Sequence, residues 1–145
     1  MKTTANGIEI NYALDGPADA PVVTMSHSLA AHRGMWEPQM AALAGDYRVL
    51  RYDTRGHGGT QVTAGGYDFD TGADDVAALL EALGIARTHF VGLSMGGMVG
   101  MGLGLRYPGI LRSLALCDTM SEVGDDYRAA ADGRIETARP SAAAR

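Results

Sequence analysis

The chain has 145 residues, 46% hydrophobic and 20% charged, with a net charge of -5, the make-up of one ordinary globular domain without a basic face for nucleic acid. Cys117 is the only cysteine, which excludes an internal disulfide and fits a reducing compartment. The opening M-K-T-T-A-N-G-I-E-I lacks an apolar core of signal-peptide length, and no run elsewhere could span a bilayer, so a cytoplasmic protein with no membrane partner is expected.

Ile8 to Leu14 alternates apolar and polar residues, as an antiparallel strand with one wet face does, and Asp15-Gly16-Pro17 ends it. Pro21 to Ser26 is a continuous apolar run, the signature of a strand covered on both faces, and it leads into the polar loop His27-Ser28-Leu29. Trp36 to Ala44 predicts a short helix stopped by Gly45. Tyr47 to Tyr52 predicts a third strand, followed by Asp53-Thr54-Arg55-Gly56-His57-Gly58. Helical spacing returns over Thr71 to Leu83, with Thr71 and Asp74 resembling a capping box, an apolar stripe at Val76, Leu79, Leu80 and Leu83, and Gly84 as terminator. Thr88 to Val91 is a short apolar strand, Met95 to Arg106 a helix, and Ile110 to Cys117 a last, two-face-buried strand. Alternating strand and helix predicts a parallel sheet with helices on both faces, Ile8 to Leu14 pairing antiparallel at one edge. Ligands in such sheets sit at the carboxyl ends of the strands, so the loops at His27, Asp53, Ser94 and Asp118 should share one rim.

Gly92-Leu93-Ser94-Met95-Gly96 is a G-x-S-x-G between a strand and a helix. The bare pattern also describes a glycine-rich turn of no chemical importance. Its context favours a nucleophile elbow, a strained turn that lifts the Ser94 hydroxyl above the sheet and aims the Met95 backbone N–H, at a helix N-terminus, at any oxyanion formed there. The flanking glycines supply the room that such a turn needs, and Gly97 lets the helix start close to the strand.

Three segments, S-H-S-L after the second strand, R-Y-D-T-R-G-H-G and G-L-S-M-G-G, resemble the α/β-hydrolase fold family. Within it, H-R-G-M-W-E-P-Q, R-Y-D-T-R-G-H-G and L-A-L-C-D-T are most similar to 3-oxoadipate enol-lactonases, with carboxylesterases and cofactor-free haloperoxidases close behind. The resemblance implies the N-terminal part of an α/β-hydrolase domain over residues 1–138, lacking the C-terminal strands and lid, with 139–145 an aberrant or disordered tail. It implies Ser94 as nucleophile toward a small-molecule ester or lactone, an oxyanion hole from the N–H groups of Leu29 and Met95, and His27, Ser28 and Trp36 as candidate pocket residues. It implies no cofactor and no metal.

One departure bears on activity. In this fold the triad runs Ser, then Asp or Glu, then His, yet His27, His32, His57 and His89 all precede Ser94. The chain therefore reads either as a carboxylic-ester or enol-lactone hydrolase, incomplete in this form, or as a non-catalytic fragment or a subunit that takes its acid and histidine from a partner chain. The unpaired outer edge of Ile110 to Cys117 would then invite self-association.

Individual residues carry two readings each. His27 is a makeshift base or a residue shaping the oxyanion loop, and His57 is a base or a loop-packing residue. Asp53 and Arg55 read as a turn-holding pair or as substrate contacts. Asp118 stands where some members carry the triad acid, or is structural. Trp36 lines an acyl pocket or staples its helix to the sheet. Met95, Met98 and Met101 follow helical spacing, as core residues do.

Overall fold

A computed structural model describes residues 1–122 with residues 124, 129 and 130. The expected boundary at 138 and the tail lie outside the described residues. A six-stranded sheet runs in the order β1-β2-β4-β3-β5-β6. Its strands are β1 (Lys2–Ala5), β2 (Ile8–Asp15), β3 (Val22–Ser26), β4 (Arg48–Tyr52), β5 (Thr88–Leu93) and β6 (Leu111–Cys117). β4, β3, β5 and β6 are mutually parallel, while β2 pairs antiparallel with both β4 and β1. The α-helices over residues 1–122 are α1 (Glu37–Leu43), α2 (Phe69–Ala82) and α3 (Met95–Arg106).

Side-chain alternation along β4 builds the two faces. Leu50 and Tyr52 join Ile8, Ile10, Phe90, Val76, Leu79, Leu80, Val99 and Leu103 in the core beneath α2 and α3. Val49 joins Val23, Met25 and Trp36 on the other face, with Met40 and Leu43 of α1. Arg51, also on that side, is buried and paired with Asp15 at 2.8 Å and with Glu37.

Several expectations are corrected. The sheet's outer strand is β1, so Ile8 to Leu14 is not the edge. The K-T-T-A segment is too polar to show as a strand, but Asn6 (φ 46°) and Gly7 (φ 74°) form the left-handed two-residue turn that asparagine-glycine favours. The cap of α2 is Asp68, whose side chain accepts from the Thr71 N–H at 2.7 Å, in place of a Thr71–Asp74 box. Asp74 instead binds Arg106 and the Tyr107 hydroxyl, tying α2 to the end of α3. β6 is mostly exposed among the described residues, because it pairs only with β5. The buried positions of α3 are Gly96, Gly97, Val99, Gly100 and Leu103, and Met95, Met98 and Met101 are only half-buried.

At Gly100 the helix packs close on the sheet, since a Cβ there would lie 2.8 Å from the Phe90 ring. At Gly104 a Cβ would meet only ordinary contacts with Leu114 and Leu111.

Candidate active site

β5 runs straight into α3 through a single residue, Ser94, at φ 53° and ψ -114°. Such a left-handed backbone is costly for a residue with a Cβ and persists only where its surroundings enforce it. The surroundings do so tightly. A Cβ on Gly92 would sit 2.2 Å from the Gly96 carbonyl oxygen, and one on Gly96 would sit 2.3 Å from the Ser26 carbonyl oxygen. Neither obstacle can swing aside, being backbone, so both positions require glycine. The Ser94 N–H donates to the Cys117 carbonyl at 2.9 Å, and the Thr119 hydroxyl donates to the Ser94 carbonyl at 2.8 Å. A Cβ on Gly97 would strike the Thr119 side chain at 2.7 Å, so this glycine admits the segment after β6.

The loops after β3, β4, β5 and β6 share one rim, as the parallel order requires. A histidine–threonine chain joins two of them. His27 is fully buried, its Nδ1–H donates to the Ser28 carbonyl at 2.8 Å, and its Nε2 accepts from the Thr54 N–H at 2.9 Å. Burial lowers its pKa, against the pull of the Ser28 carbonyl, so the neutral ring is favoured. With both nitrogens committed, His27 shapes the loop and has no lone pair free for a proton from Ser94. His32 caps the one-turn 3₁₀ segment Arg33–Trp36, and His89 bonds Ser113.

Asp53 and Arg55 do not pair with each other. The buried Asp53 carboxylate accepts from the Arg33 N–H at 2.7 Å, the Gly59 N–H at 2.8 Å and the Asn11 amide at 2.7 Å. Burial would raise its pKa, but these donors outweigh it and hold the group below the ordinary carboxylate value. Because its pKa is depressed on folding, its contribution is present above the unfolded value of about 3.9 and lost as pH falls through the folded value. Acid titration of stability should therefore steepen below about pH 4, and Asp53→Asn should flatten that limb while lowering stability at neutral pH. An unchanged acid limb in Asp53→Asn, followed by circular dichroism, would contradict this assignment.

Arg55 pairs instead with Asp75 of α2, through Nε at 2.9 Å and Nη2 at 2.6 Å, and Asp75 also accepts from the Asn6 amide at 2.7 Å. Arg55 and Asp75 help to line a cavity of about 140 Å³, to which Met95, Val99, Leu29 and His57 also contribute. Leu29 precedes Ala30, another residue in the left-handed region at φ 58°. Sequence reasoning gave no warning of Ala30, since alanine carries no turn signal. Trp36 is buried in the core on the far face, against Val23, Met25 and Val49, so it staples its segment to the sheet. Ser28 lies on the same loop as Leu29, with its hydroxyl 4.0 Å from the Met35 sulfur, and neither it nor His27 or Trp36 lines the cavity. Asp118 is exposed, at φ 42°. Among the described residues no group of acidic, histidine or cysteine side chains has metal-binding geometry.

A family model described as the alpha/beta hydrolase fold matches residues 21–137. The chain belongs to the α/β-hydrolase fold family. Among similar sequences is 3-oxoadipate enol-lactonase 2 of Acinetobacter baylyi, 38% identical over 122 residues, which cover 84% of this chain and 46% of that protein. Among solved structures, a hydrolase from Pseudomonas aeruginosa superposes with a TM-score of 0.87 at 40% identity, over 94% of this chain and 51% of the other. The enol-lactonase from Burkholderia xenovorans gives 0.83 at 37% identity, over 93% and 58%. The chain thus spans about half the length of the curated relatives it matches.

Proposed function

We propose that this protein carries the nucleophile half of a carboxylic-ester or enol-lactone hydrolase. The backbone of Ser94 supports this most directly: a left-handed serine is held between two glycines that backbone atoms prevent from being anything else. In this reading Ser94 Oγ attacks the carbonyl carbon of a small ester or lactone and gives up its proton to a base. The N–H groups of Met95 and Leu29 stabilise the oxyanion. Collapse of the tetrahedral intermediate expels the alcohol or enol and leaves an acyl-enzyme, which water then hydrolyses. The similarity to proteins named as enol-lactonases supports the ester and lactone class.

The engagement of both His27 nitrogens favours a second element of the proposal. No histidine follows Ser94 and His27 is engaged, so in this proposal the histidine that activates Ser94 is not among these 145 residues, and this form is catalytically incomplete or takes it from a partner. Prolonged exposure to a fluorophosphonate, followed by peptide mapping, tests the nucleophile. Slow labelling confined to Ser94, and lost in Ser94→Ala, is the expected result. Labelling spread over other serines, or unchanged in Ser94→Ala, would refute the assignment.

A further inference from the structure

We propose that the cavity lined by Met95, the residue after Ser94, is a specificity pocket for a hydroxyaryl-sized part of the substrate, a flat apolar body with one hydrogen-bond donor, and that His57 Nε2 receives that donor. The inference rests on the reading of Ser94 as nucleophile and adds the substrate's shape and polarity. The volume is the first argument. At about 140 Å³, the cavity matches the roughly 150 Å³ that suffices for a benzene ring in an apolar protein cavity.

The rim is the second argument. Leu29, Tyr67 and Phe69 are among the exposed large hydrophobic residues, at 57%, 54% and 42% exposure, and all three line this cavity. Apolar side chains gathered at one opening, unlike those scattered singly, mark a binding site. The charged residues in the wall do not change its character. Arg55 and Asp75 are spent on each other and on Asn6, Asp53 on three donors and Asp68 on the Thr71 N–H, so the wall offers a visiting anion no unpaired cation.

His57 supplies the polar selectivity. Its Nδ1 lies 3.0 Å from the Arg55 carbonyl and 3.1 Å from the Thr54 hydroxyl. The carbonyl can only accept, so Nδ1 carries the proton. The Thr54 hydroxyl oxygen can also accept from this N–H, whereas the one lone pair of His27 Nε2 is already taken by the Thr54 N–H. His57 Nε2 is left as a lone pair without a hydrogen-bond partner among the described residues. The ring lines the cavity, so an O–H or N–H inside would satisfy it. Met95 and Leu29 line the same cavity, so a carbonyl held by their N–H groups would have one substituent at its wall.

Phenol and benzene are suitable probes for the purified full chain. Phenol should bind saturably, raise the thermal midpoint and slow fluorophosphonate labelling of Ser94 several-fold. Benzene should bind about 3- to 10-fold more weakly, the ratio for one net hydrogen bond. His57→Leu should bring phenol down to the affinity of benzene, and Val99→Phe, which fills the cavity, should weaken both at least about tenfold. The wild-type comparison of the two probes decides even where a variant fails to fold. Failure of phenol to bind, equal binding of phenol and benzene to the wild type, or binding that does not protect Ser94 would each overturn the pocket. If phenol binds while Ser94 never labels, the nucleophile assignment fails and the pocket loses its role as substrate site. If Ser94 labels and phenol does not bind, only the pocket fails.

Discussion

The purified 145-residue chain should hydrolyse an enol-lactone or a p-nitrophenyl ester at least about 10⁴-fold more slowly than an α/β-hydrolase with a complete triad. The geometry around each histidine gives the reason. His27 is locked between the Ser28 carbonyl and the Thr54 N–H, His32 is a cap, and His89 bonds Ser113 at 2.8 Å. His57 has an open nitrogen, but in the pocket proposed above it serves substrate binding. A serine without a base is a weak nucleophile at neutral pH, and what remains is the effect of the N–H donors and of binding. Turnover should disappear altogether in Ser94→Ala. Size-exclusion chromatography belongs beside the assay, because the outer edge of β6 has no partner among the described residues and would pair a second copy. A monomer with ordinary turnover, abolished by Ser94→Ala, would contradict this expectation and identify His57 as a base.

Asp75→Ala should cost about 3–5 kcal/mol, a large part of the stability of any domain of this size. Asp75 has a side-chain exposure of 5%, and Arg55 one of 12%. Removing the carboxylate strands the guanidinium in a poorly solvated place and releases the Asn6 amide as well. Three elements then lose their common tie, namely the β1–β2 turn, the loop after β4, and α2. Urea unfolding measures the loss, and the double variant Arg55→Met with Asp75→Leu should recover most of it, since an apolar pair of similar volume avoids the stranded charge. A cost below about 1 kcal/mol for Asp75→Ala would mean that solvent reaches the pair freely.

The parallel strands and the strained turn at Ser94 were legible in the sequence because their signals are local. A strand covered on both faces must be largely apolar, as V-V-T-M in β3 is, and a strained turn that excludes Cβ atoms must be written with glycine, as at Gly92 and Gly96. The stripe of α2 was legible for the same reason, since Val76, Leu79 and Leu80 follow the turn of the helix. β1 was missed because its pairing with β2, and not its own composition, makes it a strand. Its asparagine-glycine turn was the available signal.

Partner choice among polar side chains was decided only by the tertiary structure. Nothing in D-T-R-G-H-G tells which of two nearby groups a carboxylate or guanidinium will meet. Asp53 turns to the backbone of residues 33 and 59, while Arg55 reaches α2 twenty residues on. The fate of His27 and the side chains of Trp36 and Met95 were settled in the same way, by where neighbouring strands carried them. Periodicity states which face of an element is apolar, and glycine states where backbone is strained. Which groups then come within hydrogen-bonding distance depends on contacts between residues far apart in the chain, and those exist only once the sheet has formed.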